Sequence, residues 1–282
     1  MIRQKHREGY RDERGAEPGK EWNEKRKSRR RRNRRKARIR FLASMLGTLL
    51  GAVLLVLVAY TALNLFCGFG KVNTQKLREQ GYPESLIALM ERNPETKDFV
   101  LDYPKYKGLE EIDISKEVTK GEIPHFLQWD ERWGYETYGS DFLAVTGCGP
   151  TSLSMVVCGL TGDTKWNPYE VAKMAEDNGY YVDGSGSSWE LMSSGAEKLG
   201  LTVSSVIFDA EHIRATLEAG QPIICVMGPG DFTDAGHFLV LTGVDKNGDI
   251  ILQDPNSVER TKQHWDVQKL MNQMKNLWAY SC

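Results

Sequence analysis

The sequence predicts an α+β domain preceded by a single membrane-spanning helix. Helix signals fill the first half of residues 122–282, and short strands rich in β-branched and aromatic residues fill the second half. An uninterrupted apolar run, residues 41–66, lies ahead of both. The chain of 282 residues is 40% hydrophobic and carries 37 Lys and Arg against 38 Asp and Glu. This composition is typical of globular proteins and excludes a collagen-like, coiled-coil or wholly disordered chain.

Charge is unevenly distributed along the chain. Residues 1–40 contain 18 Lys and Arg and six Asp and Glu, a net charge of +12, so the remaining residues carry a net charge of −13. Because the start of this segment has few apolar groups, we expect residues 1–40 to form a basic and largely disordered tail. A basic run can bind nucleic acid, but directly before a spanning helix it is more typical of a topology determinant. We therefore expect no nucleic-acid partner.

Residues 41–66 are the predicted membrane anchor. These 26 residues contain no Asp, Glu, Lys, Arg or His, and about 20 apolar residues suffice to cross a bilayer core. The run is longer than the apolar part of a cleaved signal peptide, about 7–15 residues, so we expect a retained signal anchor. Lys and Arg beside a spanning helix stay on the cytoplasmic side. The sequence therefore predicts a single-pass protein of the cell membrane, with a cytoplasmic N-terminus, an extracytoplasmic domain and the lipid bilayer as a partner.

Residues 67–121 are a predicted juxtamembrane stalk with partial helical structure. A helix signal covers residues 83–91, and Asn93 and Pro94 then mark a turn. The segment could be a spacer that holds the domain off the bilayer, or the N-terminal lobe of that domain. Its apolar residues favour partial docking, because a pure linker would not need Leu86, Ile87, Leu89, Phe99 and Leu101.

Residues 122–282 are the predicted main globular domain, long enough to bury one core. Its helices are indicated by caps, such as Asn167 followed by Pro168 at the first helical position. Residues 246–248, Lys-Asn-Gly, predict a hairpin turn between two of its strands. The predicted helices span residues 149–160, 168–178, 189–199 and 211–219, and the predicted strands span residues 222–227, 237–244 and 249–253.

Cys148 is the candidate nucleophile. It lies between two glycines in Thr-Gly-Cys-Gly-Pro-Thr, residues 146–151, directly before a predicted helix. Free N–H groups and the helix dipole at such a position favour thiolate over thiol. The alternative, a small buried apolar cysteine, better describes Cys158 and Cys225. The five cysteines form no CxxC pair, so we expect no zinc site and no disulfide framework, and no metal or cofactor.

A cysteine nucleophile needs a base, and His237 is the best candidate among the five histidines. It opens an apolar strand directly after Gly236, and Asp254 closes the following strand. Two antiparallel strands joined by a tight turn bring the start of one beside the end of the other. The carboxylate could therefore orient the imidazole, although Asn256 could fill that role instead.

Three motifs together resemble one family. They are Gly-Cys-Gly-Pro at residues 147–150, Gly-His-Phe at residues 236–238 and Asp-Pro at residues 254–255. In this order they resemble the C39-like cysteine peptidases, which have the papain-like fold. The resemblance extends over residues 123–281 and implies the same α+β fold, with a nucleophile helix packed on an antiparallel sheet.

The resemblance also implies a role for each site residue. Cys148 is then the nucleophile, His237 the general base and acid, and Asp254 the orienting acid. Gln128, in a Gln-x-x-x-x-Trp segment that ends at Trp133, is the implied oxyanion-hole side chain. The better-known C39 domains are cytoplasmic parts of peptide exporters and cut leader peptides after a double glycine. This sequence departs from them, since it has no GxxxxGK[ST] motif and a domain predicted to face outward.

The sequence therefore predicts a membrane-tethered, extracytoplasmic cysteine peptidase. It would hydrolyse a peptide or protein substrate through a Cys-His-Asp triad and a thioester intermediate. Two alternatives remain open at this point. One is an amidase or transpeptidase that acts on cell-wall peptides with the same Cys-His pair, and the other is a catalytically inactive peptide-binding domain.

Overall fold

A computed structural model of the chain describes residues 18–68 and 72–282, with side chains from residues 25–58 and 72–282. The chain divides into two compact units, Met1–Val72 and Asn73–Cys282. The first unit contains helix α1, Pro18–Gly68. The basic tail thus differs from the predicted disorder, because its backbone is helical from Pro18 onward, while residues 1–17 lie outside the described residues. Arg and Lys are good helix formers, and a helix extends readily from an existing apolar turn.

Helix α1 contains the candidate membrane span. Among the described residues, it is the one helix long and apolar enough to cross a membrane, judged by length and composition. The candidate span is Lys25–Val58, with a mean hydropathy of 2.5 in its most apolar part. Its apolar side chains are exposed, for example Leu55 at 73%, which fits a lipid environment. The predicted anchor, residues 41–66, lies within this helix, and its side chains beyond Val58 are outside the described residues.

The second unit combines helices with an antiparallel sheet, so the predicted α+β class is confirmed. The helices are α2 (Thr74–Glu79), α3 (Glu84–Arg92), α4 (Lys97–Asp102), α5 (Leu143–Thr146), α6 (Cys148–Thr161), α7 (Pro168–Asp177), α8 (Ser194–Lys198), α9 (Ala210–Glu218), α10 (Val258–Thr261) and α11 (Val267–Met271). The predicted helices at residues 83–91, 149–160, 168–178 and 211–219 correspond to α3, α6, α7 and α9, and Asn167 caps its helix by accepting from the N–H groups of Tyr169 and Glu170.

The strands within residues 72–282 are β1 (Thr137–Tyr138), β2 (Asp141–Phe142), β3 (Tyr181–Val182), β4 (Gly186–Ser187), β5 (Thr202–Ser205), β6 (Ile223–Met227), β7 (His237–Val244), β8 (Ile250–Gln253), β9 (His264–Trp265) and β10 (Met274–Ser281). Six of them form one antiparallel sheet in the order β5-β10-β6-β7-β8-β9, and the other four form two short hairpins apart from it. The three predicted strands correspond to β6, β7 and β8, whereas the other three strands of the sheet were not predicted from the sequence.

Both faces of the central strands are buried. On β6, Ile224 and Val226 pack in the cluster that contains α6 and α7, whereas Ile223 and Cys225 pack in the cluster with α9 and α11. Alternate side chains of a strand point to opposite faces. The sheet is therefore the middle layer between two layers of helices. Because both faces of its central strands are buried, their sequences are nearly continuous runs of apolar residues.

One predicted helix is broken in the structure. The sequence predicts a single helix over residues 189–199, but a 3₁₀ turn covers Trp189–Met192 and α8 starts only at Ser194. The carbonyl of Met192 accepts a hydrogen bond from the hydroxyl of Tyr280 at 2.8 Å. Ser193, between the two elements, has a non-helical backbone with φ −110° and ψ −92°, and the side chains of Leu191 and Met192 are fully buried. Tertiary contacts therefore override the local helix signal.

The N-terminal segment, residues 73–106, belongs to the compact unit and not to a stalk. Leu86 and Ile87 are fully buried. The ring of Phe99 stacks on that of Tyr135 with centroids 4.2 Å apart, and the Tyr135 hydroxyl donates to the Phe99 carbonyl at 2.6 Å. The domain thus begins near Asn73, about 50 residues before the boundary that the sequence predicts. Its apolar side chains complete the core of the domain.

Leu86→Ala is expected to lower the free energy of unfolding by about 2–5 kcal/mol, because truncation of a buried leucine leaves a cavity. The measurement is urea unfolding of the full chain in detergent, followed by tryptophan fluorescence. Leu109→Ala is the matched control, since Leu109 is 40% exposed, and it should change stability by less than about 0.5 kcal/mol. Equal effects of the two substitutions would contradict the docking of residues 73–106.

Candidate active site

Cys148 is the first residue of helix α6. The glycines on either side of it allow Leu143 and Ser187 to pack directly against the backbone. A Cβ atom at Gly147 would lie 2.4 Å from the Leu143 carbonyl oxygen, and one at Gly149 would lie 2.4 Å from the Ser187 hydroxyl oxygen. Both positions therefore require glycine. The partly exposed thiol is held at a helix start, where the dipole favours negative charge.

His237 and Asp254 are brought together by the β7–β8 hairpin. His237 is the first residue of β7, and Asp254 follows the last residue of β8. The His237 Nε2 atom donates to Asp254 Oδ1 at 2.7 Å. The other ring nitrogen, Nδ1, does not contact Asp254, and His237 lines the same cleft as Cys148. The imidazole therefore lies between the carboxylate and the cleft that contains the thiol.

The carboxylate of Asp254 is fully buried, and it is surrounded by donors. Besides His237, it accepts from the backbone N–H of Asn256 at 2.8 Å and from Arg260 Nε at 2.5 Å. Burial alone would raise the pKa of Asp254, but His237 and Arg260 lower this pKa to about 2. The Asn256 side chain instead accepts from Asn93 at 3.1 Å. The carboxylate, rather than the amide of Asn256, is therefore the partner of the imidazole.

The thiol and the imidazole have pKa values shifted in opposite directions. Burial acts to raise the pKa of Cys148, but His237 and the backbone N–H groups of Phe238 and Gly149 lower it overall. Burial acts to lower the pKa of His237, but Asp254 and Cys148 raise it to about 10. These opposite shifts favour a thiolate beside an imidazolium over a neutral thiol beside a neutral imidazole, since each charge stabilises the other.

Gln128 lies beside the pair and is 3% exposed. Its backbone N–H donates to the Pro255 carbonyl at 2.7 Å, and its Nε2 donates to the Ala144 carbonyl at 2.7 Å. An amide nitrogen has two hydrogens, so one N–H of Nε2 is left for another acceptor. Among the described residues, Gln128 Oε1 has no hydrogen-bond partner. The side chain lines the same cleft as Cys148.

The cleft around these residues has a volume of about 340 Å³. The loop at residues 230–236, between β6 and β7, lines this cleft, and so do Leu89, Arg92 and Asn93 from the N-terminal segment. The loop is fixed at Asp231, whose carboxylate accepts from Lys269 Nζ at 3.0 Å and from Gln273 Nε2 at 2.7 Å. The site is thus an open groove with defined walls.

The other histidines lie away from Cys148. His125 contacts the far side of the Asp254 segment, with its Nε2 atom 2.7 Å from the Asp254 carbonyl oxygen. The imidazoles of His212 and His264 contact the carboxylates of Asp209 and Asp245 on the surface, and His6 lies outside the described residues.

The remaining cysteines have different surroundings from Cys148. Burial raises the pKa of Cys158 to about 12 and also raises the pKa of Cys225, so both behave as small apolar residues. Cys282 is exposed. Among the residues that the structure describes, no group of three or more His, Cys, Asp and Glu side chains is arranged to hold a metal ion.

The contact between Arg260 and the Asp254 carboxylate was not predicted from the sequence. A single helical turn, α10, returns Arg260 to Asp254, and Ser257 caps this turn by accepting from the Arg260 N–H at 3.0 Å. The Ser-x-x-Arg spacing after an acidic residue is the local signal that could have indicated this contact. Asn93 and Glu95 were also missed, and they contact the same segment from a distant part of the sequence.

Comparison with known families gives a match over most of the second unit. A family model described as "Peptidase_C39 like family" matches residues 120–281, more than half of the chain. The matched range contains Gln128, Cys148, His237 and Asp254, and the match confirms the resemblance that the three motifs indicate. It indicates a cysteine peptidase and, by extension, a peptide substrate. A comparison with curated proteins gave no match.

Asp254→Asn is expected to slow the alkylation of Cys148 by iodoacetamide at about pH 6 by about tenfold or more. Without the carboxylate the pKa of His237 falls, so the imidazolium is lost at lower pH and the pKa of Cys148 rises. At a pH above both pKa values the rates of wild type and variant should converge. The rate is measured by mass spectrometry of the Cys148 peptide as a function of pH.

Asp234→Asn is the matched control, because Asp234 lines the same cleft without contacting His237. Its pH profile should superimpose on that of wild type. If Asp254→Asn gives that same profile, the carboxylate does not influence the charge state of the thiol.

Proposed function

The chain belongs to the peptidase C39-like family, and we propose that it is a membrane-tethered, extracytoplasmic cysteine peptidase acting through Cys148, His237 and Asp254. The observation that carries this proposal is a cleft shared by Cys148, whose thiol has a lowered pKa, and His237, whose imidazole donates to a fully buried carboxylate. Such an arrangement supplies a nucleophile, a proton-transfer group and an orienting charge.

The reaction would proceed by acyl transfer. The Cys148 thiolate attacks the carbonyl carbon of the scissile peptide bond and forms a C–S bond. The His237 imidazolium then gives its proton to the amine, the C–N bond breaks, and a thioester remains. Water attacks the thioester while His237 takes one of its protons. The C–S bond breaks, which releases the acid and regenerates the thiolate and imidazolium.

Gln128 is proposed to stabilise the negative oxygen of the tetrahedral intermediate, together with the backbone N–H of Cys148. Two observations support this role. One hydrogen of Gln128 Nε2 is not used by the bond to Ala144, and the side chain lines the cleft beside Cys148. Donors fixed before the reaction act strongly in a buried site because they need no reorganisation.

The membrane attachment and orientation are also part of the proposal. The candidate span in α1 supports attachment. The net charge of +12 in residues 1–40 supports a cytoplasmic N-terminus, because positively charged flanks are retained on that side. The negatively charged remainder would then act outside the cytoplasm, on peptides or proteins that reach the membrane surface.

The function is tested by substrate profiling of the full chain in detergent, with Cys148→Ala as the control. The substrates are a mixed peptide library, an unfolded protein and isolated cell-wall peptides. We expect new peptide termini with wild type and none with Cys148→Ala. Cleavage confined to cell-wall peptides would instead assign the domain to the amidase class, and no cleavage of any substrate by wild type would contradict the hydrolase proposal.

Gln128→Ala is expected to lower kcat by about 10²–10³-fold with little change in KM, because the missing N–H acts mainly on the transition state. Gln221→Ala is the matched control at a glutamine that does not line the cleft, and it should retain the wild-type kcat. The measurement is steady-state hydrolysis of the best peptide from the profiling. Equal kcat values for wild type and Gln128→Ala would exclude Gln128 from the oxyanion site.

A further inference from the structure

The turn between α3 and α4 holds the segment that carries Asp254. Asn93 Nδ2 donates to the Asn256 carbonyl at 2.6 Å and to the Asn256 side-chain oxygen at 3.1 Å. The Glu95 carboxylate accepts from the backbone N–H of Val258 at 2.8 Å and from the Ser257 hydroxyl. These contacts join residues that are about 160 positions apart in the chain.

The held segment contributes two of the donors to Asp254. Asn256 donates its backbone N–H to the carboxylate, and Arg260, which lies on the single-turn helix α10, donates from Nε. Asn93 fixes Asn256, and Glu95 fixes the start of α10. The contacts therefore form a continuous path from Asn93 and Glu95 to Asp254 and then to His237, which lines the cleft with Cys148.

Because Asp254 is buried, the hydrogen bonds along this path help to keep its carboxylate ionised. Asn93 is 7% exposed and Asp254 is fully buried. A buried carboxylate is stable as an anion only if its hydrogen bonds are retained. The segment that provides these bonds is short and irregular apart from α10, so its position depends on what holds it from outside. Asn93 and Glu95 provide that hold, with Trp129 adding a bond to the Asn256 carbonyl at 3.2 Å.

The same N-terminal segment also forms a wall of the cleft. Leu89 and Arg92, at the end of α3, line the groove with Cys148 and His237. This segment lies before residue 120, where the family match begins. The part of the chain that carries the family motifs is therefore completed, in this protein, by residues outside the match.

We propose that Asn93 and Glu95 are positioning residues for Asp254, and that residues 73–106 are a working part of the active site. The inference rests on the proposed function, because positioning has a catalytic meaning only if Cys148 and His237 react as described. A purely structural role would lower the stability of the fold but leave the charge state of Cys148 unchanged in the folded protein.

The experiment measures the alkylation of Cys148 by iodoacetamide as a function of pH, using the full chain in detergent. Labelling is quantified on the Cys148 peptide by mass spectrometry. The labelling of Cys282, which is exposed, is measured in the same sample as a control for the activity of the iodoacetamide. Asn93→Ala and Glu95→Ala should each slow labelling at about pH 6 by about tenfold, the scale of one hydrogen bond to a charged group. Both rates should approach that of wild type on the alkaline side.

Glu95→Gln is the conservative variant, because glutamine keeps one acceptor oxygen for the Val258 N–H. Its labelling profile should lie between those of wild type and Glu95→Ala, which a general loss of folding would not produce. Asp98→Asn is the matched control, an exposed carboxylate three residues further on, and its profile should coincide with that of wild type. Fluorescence at each pH verifies that all variants are folded.

The outcomes separate the inference from the function on which it rests. If wild type reacts quickly at low pH and the Asn93 and Glu95 variants show the same profile, the positioning role is wrong and the triad remains. If wild-type Cys148 shows the pH profile of an ordinary thiol, the proposed function fails, and the inference fails with it. Slower labelling of Cys148 at low pH in Asn93→Ala and Glu95→Ala, with a partly restored rate in Glu95→Gln, supports both the positioning role and the proposed function.

Discussion

The arrangement of the site depends on a single buried negative charge. Asp254 has no exposed surface, so it can remain ionised only with donors on each of its oxygens. Three donors meet that requirement: the imidazole at the start of β7, the guanidinium of Arg260 on α10, and the backbone N–H of Asn256, the third residue after β8. The need to compensate this charge fixes the imidazole in one orientation and so determines which ring nitrogen faces Cys148. The polar part of the domain is therefore organised around a carboxylate that does not itself touch the cleft.

The apolar part of the domain brings the two halves of the site together. Cys148 is carried by a helix that packs on one face of the sheet, and His237 is carried by a central strand of that sheet. Helix α6 approaches closely because Gly149 leaves room for the side chain of Ser187. A rigid, close-packed core transmits position well. The distance between sulfur and imidazole is thus set by packing rather than by any direct link along the chain.

Local signals were sufficient for the parts of the site that lie within one motif or one hairpin. The glycines around Cys148, and the strand order that joins His237 to Asp254, are short-range features, and the sequence predicted both. The roles of Arg260 and Glu95 could not be read in this way, because each depends on where a distant segment packs and neither has a periodic pattern. The same reason explains the domain boundary: apolar residues in 73–106 indicated docking, but only the fold reveals what they dock against.

The position of strand β10 in the sheet affects the order in which the strands can pair during folding. It lies between β5 and β6, so the sheet remains divided until residues 274–281 are available. Its pairing partner β5 is about 70 residues earlier in the chain, and pairings this distant in sequence form slowly. Tyr280 of the same strand belongs to the apolar cluster that contains the side chains of α6 and donates its hydroxyl hydrogen to the Met192 carbonyl. Until β10 pairs with both neighbours, β5 is separated from the strand that carries His237, so the sheet becomes continuous only through its most distant pairing.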